Sequence, residues 1–201
     1  MQQRNALLRE IALGRNKKDE LTVWNEQFCA AACEIVKKRA LFVEAIAKHA
    51  ARIHNNIAHE VLNVTYKPSS ATGISDILER TQDDDIRRGV TSIGPHHDDI
   101  VMKAGGVDIR AFGSQGQKRT AALSLKLAEV EFLRHETGEE PILLLDDVLS
   151  ELDENRQAML LGYIASCQTI LTCTSLEGLE TLTGMHTYNV HNACVKRVDM
   201  R

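Results

Sequence analysis

The sequence predicts an α/β protein, with a parallel-sheet core carrying helices and a β-hairpin, preceded by a region built on one long helix. Three observations carry this expectation. In Pro141-Ile-Leu-Leu-Leu-Asp146-Asp147, four apolar residues run directly into two carboxylates, the pattern of a strand buried on both faces. A second short apolar run, Thr169-Ile-Leu-Thr-Cys173, follows after one helical stretch, and strand–helix–strand in this order implies parallel pairing. Between Asp19 and Val64 there is neither Gly nor Pro, so one helix can run far.

The elements follow in order. Met1 to Leu13 reads as a short helix stopped by Gly14. From Asp19 to about Val64, Trp24, Phe28, Ala32, Ile35, Phe42, Ile46, His49, Ile53, Ile57 and Val61 form an amphipathic stripe. Phe28, Ile35, Phe42 and His49 stand seven apart, as do Ala32, Arg39, Ile46 and Ile53, a coiled-coil spacing interrupted by Arg39 and His49. Such a helix would reach about 65 Å at 1.5 Å per residue, the dimension of an arm. The alternative is a long surface helix packed on its own domain. Val64 to Pro68 enters a strand or turn, and Ser69 to Gly73 is a loop. Ile74 to Arg88 is a charged helix in which Asp83-Asp84-Asp85 reads as a solvated face. Gly105-Gly106 sits between Ile100–Lys103 and Val107–Phe112, a hairpin signal. Gln117 to about His135 is a helix with Leu123, Leu127, Val130 and Leu133 inward. After the Asp146 strand come a helix from about Asp153 to Ser166, the Thr169–Cys173 strand, a helical turn near Leu176–Leu182 and a terminal strand near Tyr188–Val195. The expected division is an arm region, 1–89, and a lobe, 90–201.

Composition narrows the class. The chain has 201 residues and a formal net charge of −4, which argues against a uniformly nucleic-acid-binding surface. Residues 1–60 hold ten Lys/Arg against seven Asp/Glu, whereas 129–154 hold ten acids and one Arg. A phosphate backbone would therefore meet the first third, where Arg4, Arg9, Arg15, Lys17 and Lys18 are the candidates. Five cysteines form no CxxC pair and no zinc set, and suggest reduced thiols in a cytoplasmic protein. The amino terminus has no signal-peptide character, and no apolar run approaches the roughly 20 residues that span a bilayer.

Two segments carry chemistry. Asp146, at the carboxyl end of its strand, is placed to hold Mg²⁺, which takes one or two carboxylates and keeps several waters. Asp147, pointing differently, would polarise an attacking water. The structural alternative is a pair of strand-end carboxylates that cap the helix at Asp153 or face solvent. Upstream, Phe112-Gly-Ser114-Gln-Gly116-Gln117-Lys-Arg119 opens a helix. Ser114, Gly116 and Gln117 offer a γ-phosphate a hydroxyl, a close backbone approach and an amide. Ordinary N-cap chemistry would use the same residues. Lys118 and Arg119 lie in a first turn where the helix dipole disfavours cations, which points to an anion. Together these segments read as the second lobe of a head resembling those of ABC/SMC-type ATPases. A Walker A loop needs Gly followed by Lys and Ser or Thr. None of the twelve glycines is followed by Lys, so the expectation is that the loop lies on another polypeptide or on another part of a longer protein. His96-His97-Asp98-Asp99, after Gly94-Pro95, reads as a polar turn leading into the hairpin, with a metal-binding motif as the alternative, since adjacent His side chains diverge and seldom ligate one ion.

The chain resembles the carboxyl-terminal part of the RecF family, bacterial DNA-repair relatives of ABC and SMC ATPases. The likeness is clearest in Gly94–Asp99, Phe112–Glu129 and Ile142–Asp153. It implies that Ser114-Gln-Gly-Gln117 is the ABC-type signature, Asp146 the Walker B magnesium residue, and Asp147 the catalytic carboxylate. Ser150-Glu-Leu-Asp153 would be the D-loop, which meets its counterpart across an ATP-sandwiched homodimer. The resemblance also implies DNA as a ligand, ATP and Mg²⁺ as cofactors, RecR and RecO as partners, and roles in recombinase loading and the SOS response. Two departures stand out: His97 where the family pattern has Arg, and Thr174 where many ABC proteins have a switch His. Two other readings stay open, a non-enzymatic binding module and the head of another SMC-like ATPase with a longer coiled coil.

Overall fold

The computed structural model describes residues 1–70, 73–176, 178–179 and 182–198. Contacts divide the chain into two compact units, Met1–Phe132 and Leu133–Arg201.

The first unit opens with α1 (Gln2–Ala12), which Leu13 and Gly14 close, and a 3-10 turn at Lys18–Glu20 leads into α2 (Leu21–Ala58). At 38 residues α2 is about 57 Å long, shorter than the sequence suggests. His59 ends it in the left-handed conformation (φ 55°), a role usually given to Gly or Asn. Beyond it Val61 is exposed and outside any element, and Leu62 and Val64 alternate inward on β1 (Leu62–Lys67). The long helix is packed along its own unit. Leu21, Ala32, Val43, Ile46, Ala50, Ile53 and His54 are buried, while Ile35 of the expected stripe is exposed. Phe42 meets Phe132 edge to face at 5.0 Å.

Helix α3 (Ile74–Arg88) lays Ile74 and Leu78 on Ala32, and Ile86 joins Leu7, Leu8 and Leu21. Its acid run is not wholly a solvated face. Asp83 and Asp84 are exposed, but Asp85 is fully buried, one heptad beyond Leu78, and pairs with buried Arg4 (Nη1–Oδ2 3.1 Å). Strands β1, β2 (Asp99–Ala104) and β3 (Val107–Asp108) form an antiparallel sheet in that order, with Gly105-Gly106 at the expected turn. Pairing of β1 with β2 joins residues on both sides of position 89, so the contact-defined units differ from the arm-and-lobe division. The expected Val107–Phe112 strand stops after Asp108, whose carboxylate accepts from the Ala111 amide and starts α4 (Ile109–Phe112).

Helix α5 (Gln115–Thr137) buries Leu123, Leu127 and Val130, whereas Leu133 is exposed. In the second unit, β4 (Leu143–Asp146) pairs in parallel with β5 (Thr169–Thr172), with Asp146 opposite Thr172, and α6 (Glu154–Ile164) connects them. Leu143 and Leu145 are buried but Leu144 is 70% exposed, so β4 alternates instead of being covered on both faces. The expected turn at Leu176–Leu182 includes Glu177, Glu180 and Thr181, which lie outside the described residues. The terminal strand is a hairpin, β6 (Thr187–His191) and β7 (Cys194–Val198). Its two-residue turn, Asn192-Ala193, has positive φ at both positions, the geometry hairpin twist requires, without the glycine that would announce it.

Candidate functional site

The site residues fall into two groups, one in each unit. In the first unit, Gly113 joins α4 to α5. A Cβ there would stand 2.5 Å from the Ile109 carbonyl oxygen, so only glycine fits. Ser114 then caps α5 reciprocally: its Oγ accepts from the Gln117 amide (3.2 Å), and its own amide donates to Gln117 Oε1 (3.0 Å). This is a capping box with Gln at its third helical position. The N-cap alternative is therefore satisfied in the geometry. Gln115 and Gly116 lie in the open first turn, where helical N–H groups lack intrahelical acceptors. Lys118 and Arg119 are both exposed beside it. This helix start suits a phosphate.

In the second unit, Asp146 and Asp147 stand exposed at the carboxyl end of β4. Neither caps α6. Asp153 does that, accepting from the Arg156 amide at 3.0 Å and pairing with the Arg156 guanidinium at 2.9 Å. Asp147 takes the left-handed conformation (φ 50°), and the Ser150 hydroxyl donates to its carbonyl at 2.9 Å. The Gln157 side-chain amide donates to the Leu149 and Leu152 carbonyls (2.8 and 3.1 Å) and holds the connecting turn closed. Thr172 donates to Asp146 Oδ1 at 2.6 Å, while Asp146 Oδ2 makes no hydrogen bond among the described residues. An exposed carboxylate with one open hard oxygen suits Mg²⁺, which needs few protein ligands. Among the described residues, no three His, Cys, Asp or Glu side chains gather as a transition metal would need.

Thus the second unit gathers Asp146, Asp147, Ser150 and Asp153, and the first holds Ser114, Gly116 and Gln117. Thr172 and Gln157 carried no recognisable sequence signal. Thr174, the candidate switch position, is exposed in a bend after β5.

The Gly94–Asp99 segment is a 3-10 turn (Pro95–His97) organised by Asp98, whose side chain is only 2% exposed. Asp98 accepts from the Tyr66 hydroxyl, the Ser69 amide (2.8 Å) and the Arg39 guanidinium (3.2 Å). Burial alone would raise its pKa, but these donors outweigh it and hold the carboxyl below its ordinary range. Tyr66 is pushed up to about 12, first by burial and then by the carboxylate it faces. The segment is a turn as expected, but the His96 and His97 side chains do not diverge: their rings lie 4.2 Å apart, with His96 Nε2 at 3.1 Å from the Thr91 carbonyl oxygen. Of the DNA-contact candidates, Arg4 is corrected: it is 1% exposed and engaged by Asp85, Thr91 and Asn25. Arg9, Arg15, Lys17 and Lys18 are exposed, with Lys18 bonded to Asp83 at 2.6 Å. No helix among the described residues is long and apolar enough to cross a membrane.

No protein-family profile matches the chain. Among curated proteins, it is 42% identical over 214 residues to the DNA replication and repair protein RecF of Listeria monocytogenes, covering 98% of this chain and 58% of that protein. It is 43% identical over 180 residues to RecF of Lachnoclostridium phytofermentans, covering 88% of this chain and 50% of that one. The chain thus spans about half the length of the curated relatives it matches. A solved structure of the recombination mediator protein RecF with ATPrS, in the RecFOR pathway, superposes with a TM-score of 0.84 at 31% identity, over 98% of this chain and 56% of that one. An SMC ATPase structure shares the fold at a TM-score of 0.52 and 18% identity, over 83% of this chain and 89% of that one. The likeness to RecF proteins thus runs through nearly all residues of this chain, over a stretch that corresponds to the carboxyl-terminal half of those proteins.

Proposed function

We propose that this chain carries the back half of the ATPase centre of a RecF-type DNA replication and repair protein. The observation that supports this most is the exposed Asp146-Asp147 pair at the end of a parallel strand, with α6 capped independently by Asp153. In this reading Asp146 holds Mg²⁺ and Asp147 orients and polarises water. Ser114, Gly116 and Gln117 close over the γ-phosphate of ATP held by the other copy of a homodimer. Ser150 and Asp153 form the D-loop facing that copy. Bound Mg²⁺ and ATP would supply the charged phosphoryl centre, and the protein's part is positioning and electrostatics. Closure would engage DNA, with the exposed basic residues Arg9, Arg15 and Lys17 as candidate contacts, in support of cytoplasmic recombinase loading with RecR and RecO and of the SOS response. A second reading, a binding module that does not turn over ATP, draws on the absence of any Gly-Lys pair in this sequence.

The test is Asp147→Asn in this chain joined to a RecF amino-terminal half. Turnover should fall at least about 100-fold, the scale of losing a general base, while the ATP-bound dimer accumulates in sedimentation. Parental turnover would show that Asp147 is not the catalytic carboxylate.

A further inference from the structure

Thr172 ends β5 opposite Asp146 and links both carboxylate residues through one hydroxyl. An ionised carboxylate accepts and an amide donates, so the directions of its hydrogen bonds are fixed. The hydroxyl proton goes to Asp146 Oδ1 at 2.6 Å, and the oxygen accepts from the Asp147 amide at 3.0 Å. That amide also reaches the Thr172 carbonyl at 3.2 Å, and Ser150 holds the Asp147 carbonyl from the other side. These bonds keep Asp147 in the left-handed region, which costs a side-chain-bearing residue and needs such support.

We infer that Thr172 is the positioning residue of the centre proposed above, on which this inference rests. It fixes the Asp146 carboxylate by one oxygen, leaving Oδ2 open to a cation. It also sets the peptide plane from which the Asp147 carboxylate projects. Valine at this position keeps the branched shape and the carbonyl bond but loses both hydroxyl bonds. Serine keeps the hydroxyl.

The experiment compares Thr172→Val, Thr172→Ser and Asp146→Asn. Without nucleotide, hydrogen exchange of the segment 144–150 in this chain should quicken about fivefold in Thr172→Val, the effect of losing the one hydroxyl bond that a backbone amide of the segment makes, and stay parental in Thr172→Ser. In the chain joined to a RecF amino-terminal half, Thr172→Val should raise the Mg²⁺ concentration for half-maximal turnover about 10-fold, as lost outer-shell partners do. It should leave the KM for ATP unchanged, and Thr172→Ser should restore the parental Mg²⁺ dependence. Parental exchange and Mg²⁺ dependence in Thr172→Val, with Asp146→Asn inactive, would overturn the role of Thr172 and leave the site reading intact. Parental Mg²⁺ dependence in Asp146→Asn would overturn both.

Discussion

Asp85→Ala removes the carboxylate that faces Arg4 at a place with no access to water. The two side chains are 0% and 1% exposed, the ion pair spans 3.1 Å, and Asp85 also accepts from the Ser92 amide at 3.0 Å. Truncation would leave a buried guanidinium with neutral partners alone, Asn25, Thr91 and the Phe28 ring 6.0 Å away, and Arg4 Nη2 already has no hydrogen-bond partner among the described residues. Stranding such a charge costs about 3–5 kcal/mol, and at roughly 2–4 °C per kcal/mol for a chain of this size the melting point should fall by about 10 °C. Trp24, the single tryptophan, packs against the Leu7, Leu8, Leu21 and Ile86 cluster next to the pair, so its fluorescence during urea unfolding reports the change locally. The midpoint should drop with little change in slope. Replacing both partners, Arg4→Met with Asp85→Leu, should recover most of the loss, because no buried charge is then stranded. A loss below about 1 kcal/mol in Asp85→Ala, or a double variant as weak as the two singles summed, would refute this account of the buried pair.

Two further expectations follow from the geometry. Of the three tyrosines, Tyr66 should titrate late in an ultraviolet alkaline titration, near 12 instead of its ordinary 10.0, and the late step should vanish in Tyr66→Phe. Because its folded pKa is raised, its contribution to stability is present below pH 10 and is lost as pH climbs towards 12. On the open face of the β4–β5 sheet, Leu144 and its neighbour Ile170 are 70% and 58% exposed, so the isolated chain should self-associate. Leu144→Lys should shift sedimentation towards monomer, and unchanged association would place the contact elsewhere.

Legibility followed the physics of each signal. Apolar periodicity announced α2 and α5, because burial of a face is written into spacing, and two short apolar runs announced β4 and β5, although β4 alternates instead of being buried on both faces. The Gly105-Gly106 turn was equally plain, since glycine marks positive φ. The Asn192-Ala193 turn was not, as its backbone takes the same region without glycine. Ser114, Asp146 and Asp147 stood out because residue type and position in the strand or helix coincide. Asp85 and Arg4 did not: a buried ion pair looks in sequence like two solvated charges, and only the heptad step from Leu78 to Asp85 hints otherwise. Thr172 was invisible for a different reason. Its role depends on strand register, which no local pattern encodes.

The length of α2 has a mechanical consequence. Its 38 residues contain no Gly or Pro, so the helix has no hinge at which bending is easy. It behaves as a stiff lever. A tilt of about 5° at Leu21 would carry the far end through about 5 Å over a rod of this length. Leu21 sits in the cluster with α1 and α3, and β1 starts at Leu62, shortly beyond Ala58. Load applied to the helix at the first place is therefore delivered to the strand at the second, in the register where β1 meets β2.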